Sequence, residues 1–284
     1  QSTLVKHRKQ KGRITLGKIL ILFGLLLFAC YIILPLMWML STTLRHPLRS
    51  FALPPAIFPT EFDLSSYATV FQKVDFELFI WNSAKVALLG TFLQLVCSTL
   101  AAFAFARIQF RGRNAIFILF ISALMIPSQV IGIPRFIMLS KLHLMDNHAA
   151  LIIPAMFSAL GIFLIRQYMM TIPKSYDEAA YIDGASLFYC YYRIILPMSK
   201  PAIMVIAVQS FIASWNDFYG PLIYLNSLEK MTLPLGLTAL RGMLNTGSQA
   251  TIIAGVVLSL LAPLLFYLFG QRYLVEGTNL GGLK

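Results

Sequence analysis

Apolar residues along this chain come in long runs, parted by short polar stretches. Ile19 to Leu40 is 22 residues without a charge. At about 1.5 Å rise per residue such a helix is about 33 Å long, enough for a hydrocarbon core of about 30 Å. Five more runs follow: Val86 to Ala106, Ala115 to Pro134 broken by Pro127, Ala149 to Ile165, Pro201 to Asn226 with Asp217 inside it, and Thr251 to Gln271 with Pro263 near its middle. Each exceeds or approaches the spanning length, so the pattern predicts an all-α integral membrane protein with six transmembrane helices. A basic flank followed by an apolar run also describes a signal peptide. Here the run is too long for a signal core, and Phe28 is bulky where cleavage needs a small residue. Residues 19–40 therefore read as the first transmembrane helix.

Between these runs the polar segments divide the chain. Residues 1–18 are a basic N-terminal segment, and 41–80 form a loop rich in proline (Pro47, Pro54, Pro55, Pro59). Residues 81–273 hold the other five helices, and 274–284 are a glycine-containing tail that reads as flexible. One polar stretch, 173–200, stands out between the fourth and fifth runs. Ser175 and Glu178 have the spacing of a capping box, which would start a short helix after Pro173. Gly184 would end it, and Ser186 would cap a second helix with Leu187, Tyr191, Ile194 and Ile195 on one face. Pro197 and Pro201 then break the chain. The prediction is a helix-turn-helix finger lying on the membrane surface.

Composition agrees with burial in lipid: 58% of the 284 residues are hydrophobic, 12% are charged, and mean hydropathy is +0.75. Soluble domains carry about 25% charged residues. The net charge of +12 does not indicate nucleic-acid binding, because Lys and Arg are scattered between apolar runs and form no stripe. They do report orientation. With the N-terminus inside, the inner segments hold 15 Lys or Arg and the outer ones 7, with Lys85 at the start of the second helix. That bias puts both termini and the finger in the cytoplasm. Three cysteines (Cys30, Cys97, Cys190) imply neither disulfides nor a metal site, and the four histidines are scattered. There is no phosphate-binding loop, so no ATP site is expected in this chain, and no cofactor.

The finger also carries a motif. Glu178-Ala179-Ala180, three residues, Gly184, nine residues, Ile194, one residue, Leu196-Pro197 resembles the EAA signature of ATP-binding cassette (ABC) importer permeases. In that family the finger docks into a cleft of the cytoplasmic ATPase. Asp63-Leu-Ser-Ser-Tyr67 resembles the stretch before the second helix of sugar permeases, and Leu233-Pro234-Leu-Gly236 resembles their outer loop before the last helix. Together these are similar to the maltose-type carbohydrate importers. The resemblance implies a non-enzymatic permease subunit in a bacterial-type cytoplasmic membrane. Its implied partners are a second homologous permease, two ATPase subunits and an extracytoplasmic solute-binding protein. A polyol or glycerol phosphate stays open as solute. A secondary carrier is the rival class, for which the ionisable residues at mid-membrane are too few.

Other stretches leave two readings open. Trp215-Asn216-Asp217 is similar to a sugar-permease triplet and reads either as part of an outer gate or as an interfacial cluster. The interfacial reading sets Trp215 and Tyr219 in the aromatic belt. The loop 226–250 with Leu233, Pro234 and Gly236 either reaches the binding protein, as the resemblance implies, or is a solvated connector. The tail either reaches towards the ATPases or frays.

Overall fold

The computed structural model describes residues 16–46, 58, 62–127, 130–243 and 249–280. Most of the basic N-terminal segment and the four prolines at 47–59 lie outside them. Helix α1 is Leu16–Thr43, α2 is Ser65–Lys73 and α3 is Phe76–Arg107. Next come α4 (Arg113–Ser122) with a 3-10 turn at Ala123–Met125, and α5 (Gly132–Lys141). Helices α6 (Ala149–Ala155) and α7 (Ala159–Thr171) part only at 156–158 and together can span. The finger is α8 (Ser175–Ile182), α9 (Leu187–Tyr189), a π-helical turn at Cys190–Ile195, and α10 (Leu196–Met198). The chain ends with α11 (Lys200–Trp215), α12 (Tyr219–Tyr224), α13 (Leu233–Met243) and α14 (Gln249–Leu280).

Four helices among the described residues are long and apolar enough to cross a membrane, or five if the finger's second arm and α11, bent by 74°, count as one span. The run 115–134, expected as one span broken at Pro127, is two helices. Pro127 forces the residue before it out of the helical region, and Ile126 is extended at φ −90° and ψ 117°. Among the described residues of the expected loops there is more helix than their composition suggests: α2 and the start of α3 fall within 41–80, α13 within 226–250, and α14 continues through the expected tail as far as Leu280.

Helix α3 is the centre, packed against α11, α7 and α6. Lipid gives no hydrophobic drive between helices, so close approach and polar bonds must supply it. Small residues do so here: a Cβ on Gly90 of α3 would sit 3.6 Å from the Ala155 Cβ, and one on Gly161 of α7 would sit 2.9 Å from the Ser98 hydroxyl. Helix α1 packs on α14 with its apolar stretch exposed, which makes it lipid-facing. Its end is fastened by Thr43 Oγ1, 2.8 Å from the Tyr67 hydroxyl of α2, and by Arg45, which donates to the Phe58 carbonyl at 3.0 Å.

One apolar cluster joins α2, α3, α11, α13 and α14 through Val70, Phe76, Phe79, Phe211, Trp215, Leu240 and Ala254. Within it Gly236 lies flat against the Phe79 ring, where any Cβ would overlap. Gly236→Ala is therefore expected to destabilise the protein by about 1–3 kcal/mol through overpacking. Gly242→Ala, on the same helix with open space around it, should be neutral. Thermal unfolding of the two purified variants in detergent checks the contrast.

Candidate functional site

The finger stands at the end of the bundle where α3 stops and α7 runs out. Its first helix starts differently from the expectation. The chain is already helical at Lys174, and the Asp177 and Glu178 N–H groups bond the Lys174 carbonyl at 2.9 and 3.0 Å. Ser175 therefore lies inside the first turn and makes no capping bond. Gly184 does close the helix, at φ +78°, a left-handed conformation that suits glycine. Ser186 caps the second arm, accepting the Tyr189 N–H at 3.2 Å. The π-helical turn changes the expected face: Cys190 and Ile195, five apart, are both fully buried, with Tyr191 beside them, whereas Leu187 is exposed.

Two polar ties hold this finger to α3. Arg107, at the last residue of α3, sets its Nε 3.2 Å from Asp177 Oδ2 and donates to the Ile172 carbonyl at 2.9 Å. Higher up, Thr99 Oγ1 and the Tyr191 hydroxyl are 2.9 Å apart, both buried. Burial pushes the Asp177 carboxyl above its ordinary value of 3.8, and the Arg107 charge works against that shift. Nothing in the sequence spacing links Arg107 to Asp177, which are 70 positions apart, and neither was singled out there. The signature residues divide by exposure. Glu178, Ala179, Gly184 and Pro197 are exposed, Ala180 is buried, and Ile194 and Leu196 are half-buried. Ile182, Phe188, Tyr189 and Tyr192 add an exposed apolar surface to the same finger.

Between the spanning helices lies a cavity of about 350 Å³, with polar lining from Gln94 of α3, Ser158 at the α6–α7 break, Gln209, Ser210 and Ser214 of α11, and Asp217. Asp217 sits in the break between α11 and α12 and accepts the Gly220 N–H at 3.1 Å. Pro221 has no N–H for the Asp217 carbonyl, so the helix cannot run on. A second cavity of about 310 Å³ shares Asp217, Leu151 and Ala155 and adds Arg135, Tyr219 and Tyr224. Trp215 does not belong to an aromatic belt. It is buried, donates its Nε1–H to the Ser259 carbonyl at 3.0 Å and stacks on Phe211, which fastens α11 to α14. Asn216 is exposed beside it.

At the end opposite the finger, Asp146 gathers the turn before α13. It accepts the Asn226 and Ser227 N–H groups, both at 2.9 Å, the Ser227 hydroxyl at 2.5 Å and Lys230 Nζ at 3.0 Å. The Ser227 bonds foremost hold its carboxyl well below the usual carboxylate range. Asn82 of α3 donates to the Glu229 and Met231 carbonyls, and Ser83 Oγ accepts the Leu233 N–H at 2.7 Å. Leu233 is fully buried, Gly236 is packed on Phe79 and Pro234 is half-buried. These three residues seat the segment and offer little side chain to a docked protein.

Residues 94–275 match the family described as binding-protein-dependent transport system inner membrane component. The chain is 33% identical over 230 residues to the arabinooligosaccharides transport system permease protein AraQ of Bacillus subtilis, covering 80% of this chain and 81% of that protein. It is 30% identical over 273 residues to the trehalose/maltose transport system permease protein MalG of Thermococcus litoralis, covering 95% and 98%. A chain of a bacterial ABC transporter for import of the acidic polysaccharide alginate superposes with a TM-score of 0.81 at 24% identity, over 90% of this chain and 96% of that one. That likeness is one of fold.

The Asp177 carboxyl, raised on folding, binds its proton more tightly in the docked finger than in the free one. Docking is then favoured at low pH and weakens as pH rises from the ordinary value of 3.8 through the raised one. Arg107→Ala removes the opposing charge, so opening of α8 should increase much more at about pH 7 than at about pH 4. Hydrogen exchange of the α8 amides, corrected for intrinsic rates, checks this. An equal increase at both pH values would contradict it.

Proposed function

The chain belongs to the family of binding-protein-dependent transport system inner membrane components; on that premise we propose that it is the permease subunit of an ABC importer for a sugar or oligosaccharide. The single observation that carries this reading is the joining of two features by one helix. Helix α3 lines a polar cavity through Gln94 and holds the finger through Arg107. The names of the relatives, transporters of arabinooligosaccharides and of trehalose or maltose, support a carbohydrate as solute.

In this reading six spans cross a bacterial cytoplasmic membrane, the third being the broken α4–α5 unit, and both termini and the finger face the cytoplasm. A second homologous permease completes the pathway. Two ATPase subunits receive the fingers, with Glu178, Ala179, Gly184 and Pro197 on the exposed side and Ala180, Ile194 and Leu196 shaping the fold behind them. ATP is hydrolysed in those partners, and this chain is not an enzyme. The solute-binding protein docks at the opposite end, where the exposed Leu228, Thr238 and Arg241 flank the seated Leu233–Gly236 stretch. Asp217, with Trp215 and Asn216 beside it, forms part of the outer gate. Coupling requires that the finger make different contacts in the two ATPase states.

A Glu178→Lys, Gly184→Pro double variant should lose solute uptake at least ~10-fold, the scale of a coupling free energy, while membrane insertion by protease protection is unchanged. Full uptake would overturn the coupling role. Asp217→Asn should lower uptake in an assembly that expresses normally, because Asp217 lines both cavities. Unchanged uptake of every solute tested would remove it from the gate.

A further inference from the structure

The larger cavity has a chemical bias that goes further than the proposed role, on which this inference rests. Its polar side chains are one carboxylate (Asp217), two carboxamides (Gln94, Gln209) and hydroxyls that include Ser158, Ser210 and Ser214, and among the described residues no Lys, Arg or His lines it. Carboxamides and hydroxyls both donate and accept, which suits a solute whose own hydroxyls do both. Ser210 donates to Gln94 Oε1 at 2.7 Å, which turns the amide nitrogen of Gln94 into the group left to donate. A carboxylate only accepts, so Asp217 can take solute O–H groups and opposes a second carboxylate.

Two of its lining residues, Gln209 and Ala213, are exposed, so the cavity is open along α11. Gln209, Ala213 and Asn216, at positions i, i+4 and i+7 of α11 and its C-terminal cap, are exposed. Lipid cannot satisfy a carboxamide at that depth, so this face borders water or a partner. A volume of about 350 Å³ is at the lower end of small-molecule sites, about 300–1,000 Å³. The cation Arg135 lines the smaller chamber alone.

We propose that this chain itself touches the solute in the larger cavity, through Gln94, Gln209 and Asp217, and that Asp217 selects uncharged polyhydroxy solutes over carboxylate-bearing ones. The test is equilibrium dialysis of radiolabelled maltotriose, arabinotriose and trigalacturonate against the purified permease–ATPase assembly without its binding protein, which would otherwise filter the probes. A neutral probe should bind at least ~10-fold more tightly than the uronate. Asp217→Asn should narrow that ratio several-fold by admitting the uronate, and Gln209→Lys, on the open face, should narrow it independently. A merely structural role would shift all probes together. A ratio unchanged in both variants, or a uronate bound as tightly as the neutral probes by the unaltered assembly, would overturn the selectivity. If no probe binds although the complete importer takes up a neutral sugar, contact with this chain is disproved and the proposed function stands. If the complete importer takes up no sugar, the proposed function fails with it.

Discussion

Everything in this molecule depends on one unbroken helix having polar anchors at both ends. Helix α3 runs for 32 residues. At the end away from the finger, Asn82 and Ser83 bond the backbone of 229–233, and Asp146, in the loop before α6, clamps the adjoining Asn226, Ser227 and Lys230. At its middle, Gln94 borders the cavity. At the far end, Thr99 and Arg107 hold the finger. A rigid element joined to three places by hydrogen bonds and an ion pair moves them together or not at all. Apolar packing alone would not impose that, since contacts between greasy helices in lipid are exchanged for lipid contacts of similar quality.

The membrane also fixes where polarity can be placed. Side chains such as Thr91, Ser98 and Thr99 are buried on α3, while the large apolar side chains of α1 face outward. A soluble bundle would instead turn polar side chains outward. The helix breaks fall where polar groups are used: Ser158 caps α7 by accepting the Gly161 N–H at 3.0 Å, and Asp217 accepts at the start of α12. Irregular backbone at this depth is tolerable because it lines a cavity. The π-helical turn of the finger belongs to the same pattern, since it brings Cys190, Tyr191 and Ile195 inward together.

The features readable in the sequence were those with local causes. Long uncharged runs gave α1, α3 and α14, and Gly184 and Ser186 gave the turn of the finger, because run length, left-handed backbone and side-chain caps act within a few residues. Ser175 was misjudged because a capping box depends on where the helix begins, and Lys174 is already helical. Of the two readings left open for Trp215, the aromatic belt fails for a similar reason: an aromatic residue near a helix end can face lipid or a neighbour, and here the neighbour is Ser259 of α14. The Arg107–Asp177 pair and the gathering of Gln94, Gln209 and Asp217 depend on contacts between distant segments, which no single-sequence period encodes.

If the finger works through its tie to α3, breaking that tie should separate ATP hydrolysis from transport. The direct test is solute transported per ATP hydrolysed, measured in proteoliposomes holding the complete importer with Arg107→Ala or Asp177→Ala in this chain. ATP hydrolysis should persist while transport per ATP falls several-fold, because the finger then moves without carrying α3. A ratio equal to that of the unaltered protein in both variants would contradict it.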